Sequence, residues 1–351
     1  MFRARLGVCD TISTMRVTGI AFLLLSMATL LPAAKNLEVY FVDVEGGQAT
    51  LVVAPSGQSL LVDAGWPGYN GRDADRIAAA AKRAGVKRID YMLMTHYHTD
   101  HVGGVAPVAA RIPIVNYVDH GDNTETGKSA DQLAAPYLKL REKGTHLVVK
   151  PGDKIPIKGL DVTVVAARGE TIASALPGAG GANPLCASFQ PKKDDPSENA
   201  KSVAVMIGFG KFRMADFGDI TWNVEHKLVC PNNLLGGADL YLTTHHAANL
   251  SNPPVLVQAL RPRVAIMNNG ARKGGSPDTI QLIRESPGME DLWQLHYAIQ
   301  AGQQGNSPDA LIANVDENCQ GNWIRLSVER NGAFTVYNSR NKHTKAYQPR
   351  N

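Results

Sequence analysis

The chain has 351 residues, of which 44% are hydrophobic and 19% charged, and a formal net charge of +4. That is enough apolar material to bury a large core, which excludes a disordered polymer and predicts one large domain or two. No basic stripe of the kind that grips many phosphates stands out, so long nucleic acid is an open but unfavoured partner and a small-molecule substrate is expected.

Residues 1–34 stand apart. Arg3, Arg5 and Arg16 precede an uncharged apolar segment over residues 17–31, and Pro32, Ala33 and Ala34 follow it. A basic region, a short greasy core and a small-residue exit read as a secretory signal peptide, for which Met15 and Arg16 alone would be a sufficient start. The core falls short of the roughly 20 apolar residues that a spanning helix needs. An uncleaved anchor and a buried helix are the competing readings. Cleavage would bring the net charge to about +2 and leave a periplasmic or secreted domain of residues 35–351 with no stable membrane insertion. Cys186, Cys230 and Cys319 remain, an odd number that allows at most one disulfide. A Cys186 to Cys230 bridge would pin the loop around residues 170–200 in an oxidising compartment; inert buried thiols are the alternative.

Strands are expected over residues 37–42, 49–53 and 59–62, separated by Glu45-Gly46-Gly47-Gln48 and Pro55-Ser56-Gly57. Residues 73–84 predict a helix with Asp73 at its start and Gly85 as its stop. The strand 89–94 then runs into Thr95-His96-Tyr97-His98-Thr99-Asp100-His101-Val102-Gly103-Gly104. A helix over 102–110, a strand over 114–118, a helix over 130–143 with a kink at Pro136, and strands over 146–150 and 160–165 follow. Residues 170–199 hold a glycine run, three prolines and Lys192-Lys193-Asp194-Asp195, and read either as a cover over a site or as a plain surface insertion. Strands return over 202–209, 211–215, 238–243 and 264–267, and residues 323–329 and 334–337 form a C-terminal hairpin across Asn331-Gly332. Sheet blocks alternating with helices predict an α/β fold of packed layers rather than an all-β barrel.

The chemistry is concentrated at residues 96–101. His96 and His98 fall on one side of an extended segment and can share one ion. Asp100 and His101 can face a second ion close by, and Gly103-Gly104 permits close backbone approach. Imidazole and carboxylate ligands suit zinc, as one or two ions, and also manganese or iron. A lone histidine here would more often be a satisfied core residue, but four such residues at this spacing point to metal.

His96-Tyr97-His98-Thr99-Asp100-His101 resembles the His-x-His-x-Asp-His signature of the metallo-β-lactamase-fold hydrolases. Phe41 to Ala49 and Leu61 to Gly65 resemble that superfamily's opening strands, and Ser197-Glu198-Asn199-Ala200-Lys201-Ser202-Val203 resembles a stretch of the competence DNA-uptake proteins and their free-standing relatives. The likeness covers about residues 37–269. It implies a four-layer αββα sandwich with metals at the edge between two sheets. The implied reaction is hydrolysis by metal-activated water, of a phosphodiester ahead of a lactam, lactone or other ester. A non-catalytic ligand-binding protein on the same fold is the competing function.

The resemblance also implies two further ligands. Asp219, after Phe217-Gly218, is one, with Asp216 as its rival; His245 is the other, with His246 as substrate contact or proton donor, although these two roles can be exchanged. Asp100 or His246 would handle protons. Many members take a third histidine after the strand matching 160–165, where this chain has Ala166-Ala167-Arg168-Gly169. His120 from another loop would fill that gap, unless it is an ordinary loop histidine, and Arg168 would instead bind an anionic group of the substrate. Asp63 would accept the second ring proton of a ligating histidine or serve a structural turn. His296 and Trp66 are pocket residues of low specificity. There is no Gly-x-Ser-x-Gly elbow and no P-loop.

Overall fold

A computed structural model describes residues 35–350. The strand Leu37–Phe41 shows how its layers arise: Leu37, Val39 and Phe41 enter one apolar cluster while Tyr40 enters another. Alternate side chains of an extended segment leave on opposite faces, so a strand apolar at both parities must be covered on both sides. Two nine-stranded sheets supply the first of these covers for each other. The first orders Thr344–Tyr347, Phe334–Asn338, Ile324–Val328, Leu37–Phe41, Thr50–Val53, Ser59–Val62, Ile89–Leu93, Ile114–Asp119 and Thr145–Val148. The second orders Ile312–Asn314, Asp291–His296, Val264–Met267, Leu240–Leu242, Phe212–Asp216, Ala204–Phe209, Asp161–Ala167 and Lys154–Ile155, with Glu170–Thr171 paired onto Asp161–Ala167. Antiparallel pairing on one side of each sheet gives way to parallel pairing on the other.

Three apolar clusters mark the spaces between four layers. Phe41, Val62 and Leu93 of the first sheet meet Val205, Met214 and Trp293 of the second in the central cluster. Outside the first sheet, Ile77 and Ala81 of helix Arg72–Arg83 and Tyr137 of helix Lys128–Arg141 pack on Leu51, Leu61 and Met92. Outside the second, Leu228, Leu256 and Ile283 of helices Trp222–Val229, Pro254–Leu260 and Pro277–Arg284 pack on Ala215, Tyr241 and Ala265. The expected αββα sandwich is therefore the observed one.

Pro136 lies inside the unbroken helix Lys128–Arg141. The helix expected over 102–110 is two pieces, Thr99–Val102 and Val105–Ala109, separated by Gly103-Gly104. A Cβ at Gly104 would stand 1.9 Å from the carbonyl oxygen of Ala64, so the break is where the histidine segment presses on the turn after the strand Ser59–Val62. Beyond the two-residue strand Glu170–Thr171, residues 170–199 contain only short helical turns, and a Cys186–Cys230 disulfide ties them to the end of helix Trp222–Val229. Among the described residues no helix is long and apolar enough to cross a membrane. The expected leader, residues 1–34, lies outside the described residues.

Candidate metal centre

Strand ends and the turns that follow them build the site. The strand Ile89–Leu93 delivers His96, His98, Asp100 and His101; Phe212–Asp216 delivers Asp219; Leu240–Leu242 delivers His245 and His246. Asp100, His101, Asp219 and His246 gather ligand atoms within 4.8 Å of one another. His101 Nε2 lies 3.2 Å from Asp100 Oδ2 and 3.3 Å from Asp219 Oδ2, and His246 Nε2 lies 3.2 and 3.4 Å from the same two oxygens. His245 Nε2 stands further off, 3.6 Å from Asp219 Oδ2. Of the two neighbouring histidines it is therefore His246 that joins the four-residue group, and Asp219, not Asp216, is the aspartate. Asp216 instead accepts a hydrogen bond from Gln48 Nε2 at 3.0 Å, and burial pushes its carboxyl up to about 7.

The hydrogen bonds fix the tautomer of each ring. Thr95 Oγ1 donates to Asp63 Oδ2 at 2.7 Å, so the same oxygen accepts from His96 Nδ1 at 3.0 Å. His101 Nδ1 donates to Asp63 Oδ2 at 2.7 Å, and His246 Nδ1 donates to the carbonyl of Asn268 at 3.2 Å. Ser251 Oγ donates to the Ile220 carbonyl and accepts from His245 Nδ1 at 3.3 Å. His98 is turned the other way, with Nε2 on Glu125 Oε1 at 3.2 Å. All five rings thus spend one nitrogen on an outward hydrogen bond and turn the other inward. His96 Nε2 and His98 Nδ1 face each other at 3.1 Å, and His101 Nε2, His246 Nε2 and Asp219 Oδ1 are buried without a hydrogen-bond partner. Ring nitrogens and carboxylates converging in a buried space, several of them without a hydrogen-bond partner, need positive charge between them, so the donor set fits metal ions.

The local charges say the same. Burial opposes the Asp219 carboxylate, but His246, His101 and His245 outweigh it and hold the group well below the usual range. Burial likewise opposes a charged His101, yet Asp219, Asp100 and Asp63 hold it well above the usual imidazole range. Asp63, expected as an outer partner, accepts from the Thr95 N–H, Thr95 Oγ1 and His101 and has φ 60°.

The other expected residues are elsewhere. His120 is buried, with Nε2 on Glu198 Oε2 at 3.0 Å and its ring against Tyr97. Glu198 also receives the Tyr97 N–H and Thr124; burial opposes its charge, but His120 and then Thr124 outweigh it and hold the carboxyl down to about 2. His120 therefore braces the histidine segment through Glu198. Arg168, at φ 54°, points to the His120 carbonyl at 3.5 Å. His296 belongs to a second cluster with Asp43, Glu45 and Cys319, spanned by the guanidinium of Arg76. Lys273 was missed: its ammonium meets Asp100 Oδ2 and lies 5.2 Å from the centre of the Trp66 ring. The available signal was a cation set among glycines in Gly270-Ala271-Arg272-Lys273-Gly274-Gly275.

His245, His246 and Ala247 all have φ between 54° and 60°, a left-handed run without glycine. Such residues cost of order 1–3 kcal/mol each and persist only where surroundings hold them. Here Asn252 holds them, donating from Nδ2 to the carbonyls of Thr244 and Ala248 while its N–H is fixed by Glu225 Oε2 at 2.7 Å. Burial pushes Glu225 up to about 8 against hydrogen bonds from Thr244 and Asn252. A carboxyl raised on folding keeps its proton in the native state while the unfolded chain has lost it, so stability falls as pH rises between about 4.5 and 8. Glu225→Gln is expected to flatten that fall and to raise Tm at pH 8 relative to the unaltered protein. Calorimetric scans from pH 5 to 8 check this; parallel Tm curves would rule the assignment out.

Residues 42–183 match the family model described as the metallo-beta-lactamase superfamily. It is 30% identical over 115 residues to a ribonuclease Z of Methanopyrus kandleri, covering 32% of this chain and 37% of that protein. It is 35% identical over 81 residues to a hydroxyacylglutathione hydrolase of Erwinia tasmaniensis, covering 23% of this chain and 26% of that one. The match thus spans well under half the length of either relative. Among solved structures it is similar to a metal-dependent hydrolase from Parabacteroides distasonis, with 15% identity, TM-score 0.41, and coverage of 74% of this chain and 92% of that one.

Proposed function

We propose that the protein is a periplasmic or secreted metal-dependent hydrolase that directs water onto a phosphodiester or related small substrate. The observation that carries this reading is the convergence of ring nitrogens on buried carboxylates: His101 Nε2 and His246 Nε2 both lie 3.2–3.4 Å from oxygens of Asp100 and Asp219. Asp100, His101, Asp219 and His246 would hold one divalent ion, and His96 and His98 would offer nitrogens to another; zinc suits this set, with manganese or iron as alternatives. A bound ion supplies Lewis-acid activation of water and neutralises charge that develops in the transition state.

The chain's own groups do the rest. Asp63, Asn268 and Glu125 keep His101, His246 and His98 in single tautomers and orientations. With Asp100 and His246 among the ligand atoms, the proton carrier is His245, half-buried, its Nδ1–H fixed on Ser251 and its Nε2 free near Asp219. The water oxygen forms the new P–O bond. The opposite ester P–O bond breaks, its oxygen leaves with the electron pair, and the proton from water passes through His245 Nε2 to that oxygen.

The basic, apolar and small-residue order of residues 1–34 supports export, as does the Cys186–Cys230 disulfide. The names of the curated relatives support hydrolysis, ribonuclease Z on the phosphodiester side. A second reading, cleavage of a thioester or other acyl bond, is favoured by the hydroxyacylglutathione hydrolases. Elemental analysis of the purified protein, followed by nitrophenyl phosphodiester, lactone and thioester assays with and without chelator, tests the proposal. Chelator-sensitive phosphodiester turnover supports it; a fully metal-loaded protein inert on every substrate overturns it.

A further inference from the structure

Lys273 is placed with more care than a surface lysine needs. Its turn closes through Gly270 N–H to the Lys273 carbonyl at 2.9 Å and is sewn to the strained histidine segment by Gly275 N–H to His246 O at 2.8 Å and Ser276 N–H to Ala247 O at 3.0 Å. Gly274, at φ 72°, lies so close that a Cβ there would stand 2.1 Å from His246 O. The lysine is thus mounted on the same rigid unit as a candidate metal ligand. Its ammonium donates to the Gly46 carbonyl at 2.7 Å and to Asp100 Oδ2, with the Trp66 indole 5.2 Å away, and 38% of the side chain is exposed. It reaches the metal centre from the solvent side.

As a counter-charge for Asp100 it is superfluous. Asp100 Oδ2 already faces His101 Nε2 and His246 Nε2, and a divalent ion held there would neutralise the carboxylate and repel the ammonium. An ammonium has three protons to donate, and only the Gly46 carbonyl would then remain as a partner. A strongly hydrated point charge beside the reacting centre, open on one side, is satisfied by an anion and poorly by a neutral carbonyl.

We infer that Lys273 is the receptor for the substrate's negative charge, binding a non-bridging oxygen of a phosphodiester monoanion with the Trp66 ring beside it. This rests on the hydrolase reading and sharpens it, because a neutral lactone or thioester presents no such group.

The test uses the metal-loaded full-length protein, with metal per chain measured in every variant. Bis(p-nitrophenyl) phosphate, a monoanion, and its neutral methyl triester share a leaving group. Lys273→Met is expected to lower the diester-to-triester ratio of kcat/KM by about tenfold to a hundredfold, with Lys273→Arg recovering part of the loss. Inorganic phosphate, titrated calorimetrically at saturating metal, is expected to bind the Lys273→Met protein more weakly by a similar factor. Equal loss on both esters, or unchanged phosphate affinity, overturns the inference. Should the unaltered protein hydrolyse neither ester, the phosphodiester reading fails, and the phosphate titration alone still decides the role of Lys273.

Discussion

Asp219→Asn is expected to abolish stable metal binding and to lower kcat/KM by more than the 10- to 100-fold that follows loss of an outer partner of a metal ligand. Asp219 Oδ2 lies 3.3, 3.4 and 3.6 Å from His101, His246 and His245 Nε2, and Oδ1 is buried with no hydrogen-bond partner. An amide in that position keeps the volume but removes the charge, and aims a donor or a weaker oxygen at the rings. Because these histidines outweigh burial and hold Asp219 ionised, the substitution also leaves His101 with less compensation. Metal content after dialysis against a weak chelator, read beside kcat/KM, checks the result. Full metal occupancy in Asp219→Asn would contradict the assignment.

The pair His245→Ala and His246→Ala separates ligand from proton carrier. His246 is buried with Nε2 on both carboxylates, so His246→Ala is expected to lose bound metal and with it nearly all turnover. His245 is more open and makes only the 3.6 Å approach to Asp219. His245→Ala is expected to retain metal while kcat falls about 10²- to 10⁴-fold, the usual worth of a positioned general acid or base. Metal stoichiometry and kcat measured on both variants check this, and the opposite pattern would exchange the roles.

The histidine segment was legible because its candidate ligands are neighbours in sequence, and so was the order of strands and helices through about residue 148. Asp219 was legible through the resemblance, which places a ligand after a glycine; that glycine, Gly218, has φ 54° and lets the backbone pass within contact of Thr95. The choice between His245 and His246 was not legible. Adjacent residues in a left-handed run do not alternate as in a strand, so no periodicity says which ring turns inward. Nor was the role of His120, set by a contact with Glu198 across 78 residues of chain. The helices Trp222–Val229, Pro254–Leu260 and Pro277–Arg284 have eight, seven and eight residues, too few for a clear period. Strands Asp291–His296 and Ile312–Asn314 lie in the parallel half of their sheet and are buried along nearly their whole length, so they show no alternation. The Cys186–Cys230 bridge came out of an open choice between a disulfide and inert thiols.

One strand pairing governs how the molecule can be made. Leu37–Phe41 hydrogen-bonds on one side to Thr50–Val53, its near neighbour, and on the other to Ile324–Val328, close to the far end of the chain. Until that late segment emerges, the early strand has a bare edge carrying Val39 and Phe41 toward an unfinished interior, and distant pairings of this kind form slowly. A nascent chain cut short before residue 324 is thereby a sticky, half-closed sheet, and assembly of the native sandwich waits on the segment Ile324–Val328.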